Sequence, residues 1–141
     1  MHPRVLFAGF LLAAVCTVSL SPESAFAQAA DQPVPRTDAN SKLAHEQMLA
    51  NLKKGQIDVY FSGDSITRRW RATDYPQFLA NWNENFFGWN AANFGWGADS
   101  IQNILWRLQN GELEGVQPKV IVLLAGTNNV GNTGEIGRAH V

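Results

Sequence analysis

The chain has 141 residues, enough for one domain and little more. It is 45% hydrophobic and 16% charged, so it can bury a core and is not disordered by composition. A formal net charge of -1, with no long block of like charge, gives no electrostatic reason to expect nucleic acid or an anionic membrane surface as partner.

At the N-terminus, Arg4 precedes an apolar stretch from Val5 to about Leu20. The small-residue segment Ala25-Phe26-Ala27 follows before Gln28. This is the plan of a secretory signal peptide covering residues 1–27, cut after Ala27, and it predicts a secreted or periplasmic protein. The alternative is an uncleaved membrane anchor, for which the apolar run is short. Cys16, the only cysteine, lies in that run after Val15, where a lipoprotein signal would want a small residue. A processed chain would carry no disulfide and no thiolate metal site. His45 and His140 would be its only histidines, without H-x-x-H or H-E-x-x-H spacing, so a zinc site is not expected.

Residues 28–36, rich in Ala, Gln and Pro, read as a flexible leader to a single domain over residues 37–141. A first helix is predicted in "TDANSKLAHEQMLANLKKG", capped by Thr37 or Asp38, with Ala44, Met48 and Leu52 at four-residue spacing. His45 lies on this helix, where a solvated or locally hydrogen-bonded role is expected. "IDVYFSG" reads as a buried strand ending near Ser62. A helix opened by Pro76 follows in "YPQFLANWNENFFGW", then a short strand around Ala91 to Phe94 and a glycine-rich turn. Asp99 or Ser100 can cap the next helix, where Ile101, Ile104, Leu105 and Leu108 fall at i, i+3, i+4 and i+7 before Gly111 closes it. After Pro118, "KVIVLLAG" is a continuous apolar strand of the kind covered on both faces.

Alternating helices and strands indicate an α/β fold, an open parallel sheet with flanking helices. Ligands of such sheets bind beyond the carboxyl ends of the strands, so three loops fall on one rim: Gly63 to Thr67, Gly95 to Ser100, and Gly126 to Gly131. Attack on an ester carbonyl needs a nucleophilic oxygen, a base and donors for the developing oxyanion. Ser65 has the oxygen, and a helix starting there would favour nearby negative charge. The other reading is an ordinary Gly-Asp-Ser turn with Asp64 or Ser65 as a cap. In the second loop, Gly95, Gly97 and Ala98 leave backbone N–H groups approachable, or simply make a turn. In the third, Asn128 has an amide to donate, and asparagine is also a common turn residue.

Gly63-Asp64-Ser65-Ile66 resembles the first block of the GDSL, or SGNH, hydrolases. "NFGWGADS" resembles their second block and Gly126-Thr127-Asn128-Asn129 their third. Each block is weak alone, but three in order at the ends of successive strands are not. The similarity runs from about Ile57 to Val130 and is strongest toward the branch containing platelet-activating-factor acetylhydrolase catalytic subunits. It implies a flavodoxin-like three-layer α/β/α fold and a carboxylic ester hydrolase acting on a small-molecule ester, with a small acyl group and no cofactor. By resemblance, Ser65 is the nucleophile and Asp64 shapes its turn. Ser65 N–H, the N–H of Ala98 and the side chain of Asn128 would form the oxyanion hole. The family usually has glycine where Ala98 stands before Asp99, so Gly97 is the nearby substitute. Oligomeric state stays open.

Members of this family carry the catalytic histidine late, three residues after an aspartate. For His140 that position is Gly137, so no general base is identified in the chain and the sheet has only three strands in hand. The expectation is the N-terminal part of a longer hydrolase, incomplete at its C-terminus, in which the tail Gly134 to Val141 is an abrupt change of composition. The alternative is a non-catalytic ligand- or carbohydrate-binding module on the same fold. Trp70, Trp89 and Trp96 would then stack on sugars, unless they serve in packing as large aromatics usually do.

Overall fold

The computed structural model describes residues 29–133, with side chains up to Val130. The expected signal segment, His140 and the tail from Gly134 lie outside the described residues. Helix α1 (Ala39–Leu52) starts at Asp38, which has an extended backbone and whose carboxylate Oδ1 accepts the Ser41 N–H at 2.9 Å. Its four-residue stripe of Ser41, Ala44, Met48 and Leu52 is buried. Strand β1 (Val59–Gly63) leads after one residue into α2 (Ser65–Arg69). Pro76 opens α3 (Pro76–Asn85), where its missing N–H costs nothing. Strand β2 (Ala91–Gly95) is followed by α4 (Ile101–Arg107), with Ser100 at the cap and Asn103 closing a capping box. A wide turn, Leu108–Glu112, ends α4 at Gly111, whose φ of 106° suits glycine. Strand β3 (Val120–Leu124) and α5 (Thr127–Thr133) complete the described chain.

The strands are parallel in the order β2-β1-β3, and Gly63 lies in register with both Gly95 and Leu124. All three strands therefore stop level, and the segments after them leave from one edge. Alternation along β1 divides the core between two faces. Tyr60 stacks on Phe94 with centroids 4.3 Å apart, packed with Met48, Leu52 and Ile57. Phe61 points the other way and meets Trp82 and Phe86, each at 5.1 Å. Helices on both faces make the expected three layers.

Asp58 fastens the opposite edge of the sheet. Its carbonyl accepts the N–H groups of Lys119 and Val120, and its own N–H donates to Asn90 O. Its carboxylate accepts Asn90 Nδ2 and Gln56 Nε2, both at 2.7 Å, and pairs with Lys119 Nζ at 3.1 Å. One residue thus sets where β2 and β3 begin beside β1.

Two expectations are corrected. Strand β3 is not covered on both faces: Val120 is 50% exposed and Leu123 58%. It pairs on one side only, with β1, and the described helices pack over the β1–β2 half of the sheet. In the segment before α1, Val34 N–H donates to Gln102 O and its carbonyl accepts Asn103 Nδ2. These bonds satisfy backbone groups that composition alone leaves open. The third segment, expected as a loop from Gly126 to Gly131, becomes helical at Thr127, so Asn128 lies in the first turn of α5.

Candidate active site

Ser65 is the first residue of α2, and Asp64 is its cap. The Asp64 side chain is fully buried and its Oδ1 accepts the Ile66 N–H at 2.8 Å. The turn reading and the site reading are thus compatible: Asp64 caps the helix while Ser65, partly exposed, stands at the end of β1. Close packing fixes this turn. A Cβ on Gly63 would lie 2.2 Å from Thr67 Oγ1 and 2.5 Å from Leu124 O. One on Gly95 would lie 2.4 Å from Arg68 N. Helix α2 therefore seats directly on the strand ends. Asn93 holds it there, donating to Thr67 O at 2.7 Å and accepting the Gly95 N–H.

The second loop begins with Trp96 N–H donating to Gly63 O at 3.0 Å, which joins it to the first. Ala98 has a φ of 61°, the left-handed region that disfavours a Cβ and where the family usually has glycine. The residues on either side of it are tied to distant groups. Arg36 Nη1 donates to Gly97 O at 3.1 Å and to Asp99 Oδ1 at 3.4 Å. Arg107 Nε donates to Asp99 Oδ2 at 2.8 Å. Asn128 Nδ2 donates to Asp99 O at 2.8 Å, bringing the second and third segments together. An amide nitrogen has two hydrogens, so Asn128 retains one donor beyond that bond.

Beneath the loop runs a buried charged array. Arg107 bridges Asp99 and Glu112, while His45 Nδ1 lies 2.9 Å from Glu112 Oε1. Tyr60 donates its hydroxyl to Glu112 O at 2.9 Å. Burial pushes the Asp99 carboxyl above its ordinary 3.8, although Arg107 and Arg36 pull it down. Burial also opposes charge on Arg107, but Glu112 and Asp99 outweigh it and raise its pKa. Burial raises the Tyr60 hydroxyl too, with Glu112 adding to the effect. His45 is neither solvated nor bonded locally, as its position on α1 suggested. It is committed to Glu112 and packs on Trp106 at 5.1 Å.

The model of the GDSL-like Lipase/Acylhydrolase family matches residues 61–140. The chain belongs to that family. It is 38% identical over 110 residues to platelet-activating factor acetylhydrolase IB subunit alpha1 of Bos taurus, covering 75% of this chain and 45% of that protein. The alpha2 subunit of Gallus gallus is 42% identical over 91 residues, 64% of this chain and 37% of the relative. The Homo sapiens alpha1 subunit is 37% identical over 110 residues, again 45% of its length. The chain therefore spans less than half the length of these relatives.

As a GDSL-like acylhydrolase chain, it presents Gly-Asp-Ser-Ile at the first block, with Ile66 exposed on α2. Ser65, Gly97, Ala98 and Asn128 all lie just beyond the level strand ends. Sequence reasoning missed the residues that hold them. Arg107 falls three residues after Ile104 on the buried stripe of α4, and a charge on an apolar stripe was its available signal. Glu112 gave none: Arg107 is near in sequence, but His45 and Tyr60 reach it from distant elements. Asn129 accepts the Ile101 N–H at 2.9 Å and donates to Gln102, fastening α5 to α4. Of the tryptophans, Trp70 packs near Phe78 and Phe86, Trp96 donates to Ser41 Oγ, and Trp89 is 60% exposed. Among the described residues, no cluster of three or more His, Cys, Asp or Glu could hold a metal ion.

Proposed function

We propose that the chain is the N-terminal part of a secreted serine esterase that cleaves short-acyl carboxylic esters through an acyl-enzyme on Ser65. The observation that carries this reading is the in-register termination of the three strands, which gathers the three family blocks on one edge. Ser65 Oγ would attack the ester carbonyl while a base accepts its proton. The carbonyl oxygen gains charge and is stabilised by the N–H groups of Ser65 and Ala98, or Gly97, and by the free donor of Asn128. Collapse of the intermediate expels the alcohol, which takes the proton, and leaves the acyl group on Ser65. Water then releases the acid and regenerates the hydroxyl.

The base is assigned to a later Asp-x-x-His segment of a longer chain. Support comes from β3, whose apolar faces and outer edge are open where an α/β sheet is normally covered. Without that base, the 141-residue chain is expected to be inactive. Secretion rests on the Arg4, Val5–Leu20 and Ala25-Phe26-Ala27 pattern. The small acyl group is inferred from what the relatives' names say they hydrolyse.

Reading the coding DNA beyond codon 141 tests the assignment. A continuing frame that encodes Asp-x-x-His, and whose product hydrolyses p-nitrophenyl acetate, is the expected result. A stop codon there, with hydrolysis by the 141-residue chain itself, would overturn the incomplete-chain reading.

A further inference from the structure

Arg36 lies in the segment before α1, outside the residues matched by the family model. Its guanidinium touches the one peptide unit on which the Ala98 donor depends. Arg36 Nη1 donates at 3.1 Å to the carbonyl oxygen of Gly97, and that carbonyl belongs to the same planar peptide as the Ala98 N–H. In a trans peptide the C=O and N–H point in opposite directions, so holding one aims the other. A charged donor on the carbonyl also polarises the unit and makes its N–H a stronger donor.

The strain at Ala98 gives this contact its importance. A flip of the Gly97–Ala98 peptide would carry Ala98 from a φ of 61° to negative φ, where alanine is relaxed. The same flip would turn the N–H to the other side of the loop. Strained backbone persists only where its surroundings over-determine it. Arg36 is itself pinned for this task. Its Nε and Nη2 reach Asp38 Oδ2 at 3.0 and 2.9 Å, and Asp38 is the cap of α1.

Building on the proposed esterase mechanism, we infer that Arg36 is a positioning residue that locks the Gly97–Ala98 peptide, with the Ala98 N–H directed away from Arg36 as an oxyanion donor. Arg107 and Asn128 hold Asp99, the residue after Ala98, whereas Arg36 holds the peptide before it. The lock runs from the α1 cap through Arg36 to the loop, so the start of the domain serves the rim.

The test is nuclear magnetic resonance on the isotopically labelled 141-residue chain, reading the φ-sensitive HN–Hα coupling and the Cβ shift of Ala98. Wild type is expected to show the left-handed signature. Arg36→Ala is expected to lose it while the α1 and β1 amides stay in place, and Arg36→Lys to retain it by donating to the same carbonyl. Arg36→Met keeps the side-chain stem and removes only the donor, and it replaces Arg36→Ala where that variant does not fold. Left-handed Ala98 in either donor-free variant, or its absence in wild type, overturns the inference. In the completed hydrolase, Arg36→Met should lower kcat roughly tenfold to a hundredfold with KM little changed. Absence of ester hydrolysis by that wild-type enzyme would sink the esterase reading alone, because the Ala98 resonance decides the role of Arg36 by itself.

Discussion

Individual residues at the strand ends are chosen for space as much as for chemistry. Gly63 admits no side chain, because Thr67 Oγ1 and the Leu124 carbonyl occupy the position of its Cβ. Neither obstacle retreats freely: Thr67 is buried and Leu124 O is backbone. Gly63→Ala should therefore destabilise the fold by about 1–3 kcal/mol, the usual range for overpacking, as measured by urea unfolding. Unchanged stability would mean that α2 does not seat on the strand ends as described. Ala98 presents the opposite case, a side chain where glycine would be comfortable. The sequence made the departure at Ala98 visible, since the family block names the position. It could not show how the residue is kept there, because Arg36, Arg107 and Asn128 are distant along the chain. Likewise, Ser65 and Asp64 were legible as a strand-to-helix turn, but their division into partly exposed serine and buried cap required the packing of α2.

At the level of elements, local rules carried most of the fold. Periodicity placed α1 and α4, Pro76 opened α3, and β-branched and aromatic runs marked β1 and β3. What local rules cannot report is which strand lies at an edge, or that Val34 and Asn103 would bond across the fold. Asp58 illustrates such a long-range clamp. Hydrogen bonds from Asn90, then Gln56 and Lys119, hold its carboxyl below the ordinary 3.8. A carboxyl more acidic when folded than when unfolded adds stability that is present above 3.8. That contribution is lost as the pH falls through the lowered folded value. Asp58→Asn should accordingly flatten the acid limb of stability against pH in urea unfolding from neutral pH to below 3.8. Parallel acid limbs for variant and wild type would remove Asp58 from the account.

On the scale of the whole molecule, the described helices cover the β1–β2 half of the sheet and leave β3 open. Ile121 and Leu123 are 52% and 58% exposed on one face of β3, while Val120, Val122 and Leu124 are open on the other. An apolar strand with a free edge invites pairing with another chain. The isolated 141-residue chain should self-associate in size-exclusion chromatography, and Ile121→Lys with Leu123→Lys should shift it toward monomer with little loss of stability. A monomeric wild type would show that β3 is protected. The same open strand separates what the sequence revealed from what it did not. Its apolar run and the want of later elements to cover it were plain in the sequence, and its place at the edge emerged only with the sheet order β2-β1-β3.

The central claim is that Ser65 carries the acyl group. It is tested most directly by mixing the completed hydrolase with p-nitrophenyl acetate, quenching in acid and mapping the peptides by mass spectrometry. An acetyl group on the peptide containing Ser65, absent in Ser65→Ala together with turnover, is the predicted result. Undiminished hydrolysis by Ser65→Ala, or acetylation confined to another residue, would contradict it.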